Sequence, residues 1–169
     1  PRTVETGALH LGRSEGHVVD EMGFAIPGVP VWLYDPNLNG WDTHGIVYTD
    51  VSGAYSLSHD AGDYLIWFDT LNEGLNYVTE WYNDKASILD ADVITLHPDE
   101  VLTGIDAELA SGGTATGRVT DSGGNPMAGV TVTAWRLERV HTNTAFTNEN
   151  GEYTLMGLPE GQVKVRFQL

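Results

Sequence analysis

The amino-acid sequence predicts an all-β protein of two tandem β-sandwiches, the second of them incomplete. Three observations predict this fold class: a long internal repeat, segments in which apolar and polar residues alternate with a period of two, and glycine-containing turns between those segments. The chain has 169 residues, of which 20 are glycine and none is cysteine. Disulfide bonds, thiolate catalysis and cysteine–zinc sites are therefore excluded.

The internal repeat consists of three aligned blocks. Residues 16–35 align with 117–136, residues 49–57 with 147–155, and residues 62–68 with 161–167. The offset between the copies is 101, 98 and 99 residues in the three blocks. Because the offsets change so little, we interpret the chain as a duplication in which only the loops differ in length.

Each repeat reads as short strands separated by turns. In the first repeat we expect seven strands, near residues 16–20, 29–35, 45–49, 53–58, 63–69, 75–82 and 102–109. Gly23, Gly53, Gly124 and Gly151 mark turns at matching places of the two repeats, because glycine tolerates a positive φ. A short helical turn is expected around residues 86–91.

The repeated pattern is G-x-V-x-D-x-x-G-x-x-x-x-G-V-x-V, then T-D/N-x-x-G-x-Y-x-L, then G-x-Y/V-x-V/I-x-F. It resembles the carboxypeptidase regulatory-like repeats, and residues 77–109 also look like that family. The resemblance implies an Ig-like or prealbumin-like (transthyretin-like) sandwich, related to the collagen-adhesin B-type stalk repeats of bacterial surface proteins. It also implies an extracellular or cell-surface location in a prokaryote. Such repeats serve as spacers, stalks, adhesins and enzyme accessories, so the resemblance alone does not choose a function.

The charge of the chain restricts its partners. Only eight lysines and arginines face 24 carboxylates, and the formal net charge is −16. Such a surface repels nucleic acid and anionic lipid and attracts divalent cations, although solubility alone also accounts for it. No run of 18 apolar residues is present, so we expect no membrane insertion.

Three segments are expected along the chain: an N-terminal arm at residues 1–12, a first sandwich at residues 13–111, and a second sandwich at residues 112–169. The second sandwich reaches Leu169 directly after the strand that matches residues 63–69. We therefore expect it to lack its last two strands, which would leave unpaired strand edges.

The N-terminal arm resembles the last strand that the second sandwich is expected to lack. Thr6 and Gly7 align with Thr103 and Gly104, which precede the last strand of the first repeat. Apolar residues suited to a donor strand are Val4, Leu9 and Leu11, with Leu9 and Leu11 pointing inward. Two explanations remain open: an arbitrary boundary in a longer repeat array, or donor-strand complementation. In the second, the arm of one copy fills the second sandwich of the next, and this head-to-tail contact generates a filament.

A candidate calcium loop lies between the second and third strands. Asp35, Asn37, Asn39 and Asp42 place oxygen ligands around the turn at Gly40, and calcium binds six to eight oxygens. The alternative is an ordinary Asp/Asn-Gly turn. A second acidic stretch is expected to be a solvated face, and it comprises Asp90, Asp92, Asp99 and Glu100.

An aromatic face is predicted on the first repeat. Strand alternation places Trp32, Tyr34, Leu65 and Trp67 outward, where the second repeat has polar residues such as Thr133 and Arg166. An exposed aromatic patch indicates a protein interface or a sugar-stacking platform. The alternative is that the connection at residues 70–109 folds over it.

The sequence lacks the motifs of metalloproteases and of nucleotide-binding enzymes. It has no H-E-x-x-H and no phosphate-binding loop. Ser58, His59 and Asp60 are sequence neighbours, but a triad requires spatial geometry and not adjacency. We expect the protein not to be an enzyme.

These observations predict an extracellular structural protein: a fibre or stalk subunit that binds copies of itself and is stabilised by calcium. The alternative is a carbohydrate-binding or accessory module of a secreted enzyme or adhesin. In that case Trp32, Trp41, Trp67 or Trp81 would stack on sugar rings.

Overall fold

A computed structural model of the protein describes residues 10–36, 43–71, 74–135 and 142–169. Within these ranges all regular elements are β-strands, which confirms the all-β prediction. They also hold no helical segment with the length and apolarity that crossing a bilayer requires. The strands are β1 (Gly12–Asp20), β2 (Pro30–Tyr34), β3 (Thr43–Tyr48), β4 (Ala54–His59), β5 (Gly62–Phe68), β6 (Glu80–Trp81), β7 (Ile94–Leu96), β8 (Val101–Leu102), β9 (Ala107–Leu109), β10 (Gly113–Arg118), β11 (Thr131–Trp135), β12 (Thr142–Phe146), β13 (Glu152–Leu158) and β14 (Lys164–Gln168).

The first repeat is built from two sheets that share one core. One sheet has the order β4-β1-β8, and β9 also pairs with β1. The other has the order β3-β2-β5-β6, and β7 also pairs with β5. Apolar side chains of both sheets, among them Val18, Leu33, Ile66, Phe68 and Leu109, are fully buried in one cluster. This arrangement is the sandwich that the sequence predicts.

The second repeat reproduces the first five strands. β10 pairs with β13 as β1 pairs with β4, and β11 lies between β12 and β14 as β2 lies between β3 and β5. All these pairs are antiparallel. The core is smaller, with Val132, Ala134, Leu155 and Leu158 as its buried members.

Four equivalent turns fix the register of the repeats. In each, a side-chain oxygen accepts hydrogen bonds from the backbone N–H groups two and four residues further on; the accepting residues are Asp20, Asp50, Asp121 and Asn148. The glycines predicted at these turns have positive φ, namely Gly23 (81°), Gly53 (75°), Gly124 (82°) and Gly151 (74°). An Asx turn followed by glycine thus connects the two sheets at matching places of both repeats.

The segment after β5 differs from the predicted strands. Instead of one strand at 75–82 there is a single bridge at Tyr77 and the two-residue β6. Instead of one strand at 102–109 there are β8 and β9, both parallel to β1. Gly104, whose φ is 79°, lies between β8 and β9 in a left-handed conformation that no strand continues through. The helical turn expected at 86–91 is a hydrogen-bonded turn, in which the Asp90 N–H donates to the Ser87 carbonyl.

Residues 76–78 form backbone hydrogen bonds with residues 110–112, where the first repeat passes into the second. The Val78 N–H donates to the Ala110 carbonyl and the Gly112 N–H to the Asn76 carbonyl, both at 2.8 Å. The side chain of Asn76 also accepts a hydrogen bond from the Gly157 N–H at 2.8 Å. The segment limits at residues 12 and 111 stay predictions.

Candidate interaction surface

The predicted calcium loop is described only at its first ligand. Asp35 directly follows β2 and is half-buried. Asn37, Asn39 and Asp42 lie outside the described residues. The described part of the chain contains no group of three or more histidine, aspartate or glutamate side chains placed to hold a metal ion. The calcium assignment stays a prediction.

The second acidic stretch makes local contacts. The Asp92 carboxylate accepts a hydrogen bond from Asn83 Nδ2 at 2.6 Å and lies 3.7 Å from Lys85 Nζ. The Asp99 carboxylate lies 2.8 Å from His10 Nδ1, and both side chains are exposed. Of the remaining two residues, Asp90 is exposed and Glu100 is half-buried.

The aromatic face is assembled as predicted. Trp32 lies opposite Trp67 and Tyr34 lies opposite Leu65 in the β2–β5 ladder. The prediction that this face is exposed is wrong, because Tyr34 (5%), Leu65 (5%) and Trp67 (6%) are buried by the chain itself. Only Trp32 remains half-buried.

The cover of this face is the segment at residues 80–91. The indole of Trp81 stacks on Trp67 with ring centroids 5.8 Å apart and an interplanar angle of 19°, and it lies 5.5 Å from the Tyr34 ring. Ile88 and Ala91 pack against the same cluster. Burial, with a smaller contribution from nearby Asp69, raises the pKa of Tyr34 to about 12. The chain thus supplies for itself the contact that the sequence interpretation assigned to a partner.

Two of the proposed sugar-stacking residues are therefore inaccessible. Trp67 is 6% exposed and Trp81 is fully buried. Trp41 lies outside the described residues. Trp32 is the remaining described tryptophan of the four.

The neighbours Ser58, His59 and Asp60 do not converge. His59 points into the protein, while Ser58 and Asp60 are exposed. The Ser14 hydroxyl lies 3.4 Å from His59 Nε2, and both side chains are buried. The His59 ring packs edge-on against Tyr64, with centroids 4.4 Å apart. This geometry is that of a packed core histidine and not of a catalytic triad.

Two sheet edges of the second repeat are unpaired among the described residues, whereas the matching edges of the first repeat are paired with further strands. β1 pairs with β4 on one side and with β8 and β9 on the other, whereas β10 pairs with β13 alone among the described residues. β5 likewise pairs with β2, β6 and β7, but within the described ranges β14 pairs only with β11. We call the uncovered edges of β10 and β14, with the apolar side chains between them, the open side.

Apolar core positions are exposed at the open side. Ile66 and Phe68 of β5 are completely buried. The residues at the matching positions of β14, Val165 and Phe167, are 40% and 50% exposed. Among the residues that the structure describes, no strand covers these apolar positions of the second repeat as β6 and β7 extend the sheet of the first.

The predicted donor arm is described only at its end. Leu11 is 45% exposed, and the adjoining His10 is the residue that contacts Asp99. Val4 and Leu9 lie outside the described residues. The arm thus joins β1 beside residues 97–101 of its own repeat.

The repeated pattern and the two-sheet arrangement are matched by a known family. The family model of the carboxypeptidase regulatory-like domain matches residues 114–169. This segment is similar to a carboxypeptidase regulatory-like domain. The match confirms the resemblance read from the sequence, and it falls on the regulatory-like repeat that carries the open side. No curated protein is similar enough in sequence to the chain to count as a match.

Several solved bacterial structures are similar to the chain over most of its length. The streptococcal ancillary pilin is 13% identical over 95% of the chain, with a TM-score of 0.47. The Bacillus anthracis TIE protein is 16% identical over 94%, with a TM-score of 0.45. The shaft pilin SpaA from Lactobacillus rhamnosus GG is 10% identical over 94%, with a TM-score of 0.40. The chain spans 54%, 28% and 75% of these three proteins. Because the TM-scores are below 0.5, these likenesses do not indicate a function for the chain.

Proposed function

We propose that the protein is an extracellular structural protein of a prokaryote, a fibre or surface-stalk subunit that assembles head-to-tail by β-strand complementation. The observation that carries the proposal is the exposure of Val165 and Phe167 where Ile66 and Phe68 are buried. Unpaired edges beside exposed apolar residues recruit further strands, because main-chain hydrogen bonds and side-chain pockets then act together.

The proposed donor is the arm of a second copy, with Val4, Leu9 and Leu11 as its apolar residues. A contact between the arm of one copy and the open side of another is heterologous. It leaves one free arm and one free open side at the two ends of every assembly, so it propagates instead of closing.

Removing the arm tests this assembly. A variant lacking residues 1–11 should sediment as a monomer under conditions in which the wild type forms filaments visible by electron microscopy. A variant with residues 3–9 in scrambled order is the matched control. It should also form no filaments, because it keeps the amino-acid composition of the arm but not the order of its apolar residues. Normal filaments from the deletion variant would refute the proposal.

We further propose that calcium stiffens the first repeat through Asp35, Asn37, Asn39 and Asp42. Ligand binding to the folded state alone raises stability, by about 2.7 kcal/mol at a hundredfold excess over the dissociation constant. Calcium should raise the melting temperature of the wild type and of a variant with the exposed Asp90→Ala change. Calcium should not change the melting temperature of an Asp35→Ala, Asp42→Ala double variant. An equal rise in the melting temperatures of all three proteins would refute the calcium assignment.

A carbohydrate-binding or accessory module is the second candidate function. One observation favours it: Trp32 is only half-buried, so part of its indole ring stays accessible for a sugar ring to stack on. Titration with soluble oligosaccharides should then change the tryptophan fluorescence of the wild type but not of Trp32→Phe. An unchanged spectrum at millimolar oligosaccharide would exclude this candidate.

A further inference from the structure

The last strand of the first repeat is fixed at one backbone carbonyl. The Tyr55 hydroxyl donates a hydrogen bond of 2.7 Å to the Ile105 carbonyl. The same carbonyl passes so close to Gly16 that a Cβ there would overlap it. Burial is the main cause that raises the pKa of Tyr55, and Asp106 adds to it. Gly16 and Tyr55 together form a clasp around the Ile105 carbonyl.

The second repeat has the matching glycine and tyrosine, with the tyrosine hydroxyl over the glycine in place of a carbonyl. Gly117 and Tyr153 occupy the matching positions, and Tyr153 packs on Phe167 with centroids 5.8 Å apart and an angle of 68°. The corresponding pair in the first repeat, Tyr55 and Phe68, has 6.0 Å and 71°. The Tyr153 hydroxyl lies over Gly117, 2.6 Å from where a Cβ would stand. It donates to no described residue.

The residue after Ile105 makes a second contact with β1. The Asp106 carboxylate accepts a hydrogen bond of 2.8 Å from the His17 backbone N–H, and it lies 3.9 Å from the His17 ring. The residue that matches His17 in the second repeat is Arg118. Its side chain is exposed, with Nε donating to the Asn150 carbonyl at 2.9 Å. A carboxylate on an incoming strand would therefore meet a permanent positive charge.

The sequence of the arm fits both contacts. With the offset of 101 residues that aligns β1 with β10, Val4 matches Ile105 and Glu5 matches Asp106. Val4 precedes Gly12, the first residue of β1, by eight residues, and Ile105 precedes Gly113, the first residue of β10, by the same eight. The alternative alignment of Thr6 and Gly7 with residues 103–104 does not keep this spacing.

We propose that Tyr153 and Arg118 are the recognition residues for the arm of a second copy. Tyr153 donates to the Val4 carbonyl, and Arg118 pairs with the Glu5 carboxylate, in a strand parallel to β10. The inference rests on the proposed head-to-tail assembly and specifies its register. Val4, Thr6 and Ala8 then point inward as Ile105, Ala107 and Leu109 do, instead of Leu9 and Leu11.

Charge reversal in the full chain tests the pairing. Glu5→Lys and Arg118→Glu should each weaken association, measured by sedimentation velocity, by roughly tenfold, because each places like charges together. The double variant should recover to within about threefold of the wild type, since the two exchanged charges would again be opposite across the contact. Tyr153→Phe should weaken association by about 2- to 12-fold, the effect of one hydrogen bond, and the matched Tyr55→Phe should leave it unchanged.

The outcomes separate this inference from the proposed function. A wild type that stays monomeric, including one whose open side takes a strand from another protein, refutes the assembly and the inference together. Assembly that is unchanged in Glu5→Lys, Arg118→Glu and Tyr153→Phe refutes the register and the recognition residues while the assembly stands. Weakening of both single charge variants without recovery in the double variant also overturns the pairing.

Discussion

At the scale of single residues, the two repeats differ at Tyr55 and Tyr153, which occupy matching positions. Tyr55 is 5% exposed and donates to a backbone carbonyl. Tyr153 has the same ring packing but is half-buried. A hydroxyl with a buried acceptor contributes to stability, whereas one that reaches water contributes little.

This difference predicts unequal effects of one substitution. Tyr55→Phe should lower the free energy of unfolding by about 1–3 kcal/mol, because it leaves the Ile105 carbonyl without its donor. Tyr153→Phe should change it by less than about 0.5 kcal/mol. Urea titrations monitored by circular dichroism measure both, and equal losses would show that Tyr153 already has an intramolecular acceptor.

The Asx turns give the stability a dependence on pH. Hydrogen bonds from the Ser52 hydroxyl, and then from the Ser52 and Ala54 N–H groups, hold the pKa of Asp50 below its ordinary value of 3.8. Because the folded-state pKa is the lower one, the ionised carboxylate stabilises the fold above about pH 4, and this contribution disappears as the pH falls through the folded-state value.

Replacing Asp50 by asparagine should remove that dependence without breaking the turn. Asn148 makes the same two backbone hydrogen bonds in the second repeat, so Asp50→Asn should stay close to wild-type stability at pH 7. Between about pH 4 and pH 2 its urea midpoint should fall less than that of the wild type. Parallel curves for the two proteins would contradict the account.

At the scale of elements, the segment at residues 80–91 acts as a cover for the aromatic face. Trp81 is fully buried between Trp67 and Tyr34, whereas Leu89 of the same segment is 88% exposed. The segment is held on the sheet by the pairing of β6 with β5.

Truncation of the Trp81 side chain should therefore strongly destabilise the fold. Trp81→Ala should reduce the free energy of unfolding by about 3–5 kcal/mol, as large cavities in cores do. The matched surface change Leu89→Ala should stay within about 0.5 kcal/mol. If both variants unfolded at the wild-type midpoint, the cover would not be formed in solution.

The duplication determines which elements can be predicted from the sequence. Strands and turns that occur twice, such as β2 with β11 and the turns at Gly53 and Gly151, are predicted to within a few residues because each copy supports the other. The segment 70–109 has no second copy, and its short strands lack a clear alternation. The cover of the aromatic face by this segment was therefore predicted only as an alternative, and the parallel β8 and β9 were missed, because both depend on tertiary pairing and not on local pattern. The clasp at Gly16 and Tyr55 was visible only as a repeated identity with Gly117 and Tyr153.

At the scale of the whole molecule, the junction between the repeats is tight. Gly157 has a φ of 68°, and a Cβ there would lie 2.8 Å from the Tyr77 carbonyl oxygen. Its N–H donates to the Asn76 side chain. In the proposed stalk, a direct junction of this kind would transmit force between the repeats without a flexible linker.

Gly157→Ala should loosen the junction. The left-handed backbone alone makes alanine unfavourable by about 1 kcal/mol, and the clash with Tyr77 adds to this. Gly129→Ala is the matched control, because Gly129 has a φ of 73° but nothing near its Cβ position. The Gly157→Ala variant should have the lower urea midpoint of the two and faster amide exchange at Gly112. Equal midpoints and equal exchange rates would show that Gly157 is not in close contact with Tyr77 in solution.

The most direct test of the assembly uses the absence of cysteine from the chain. Ala107 pairs with Val18 in the first repeat, so Thr6 of one copy should lie beside Val119 of the next. Thr6→Cys and Val119→Cys subunits, mixed under mild oxidation, should form a disulfide-linked heterodimer in far greater yield than Thr6→Cys mixed with Met22→Cys, whose residue is 77% exposed. Equal yields in the two mixtures would contradict the claim that the arm completes the second repeat of a neighbouring copy.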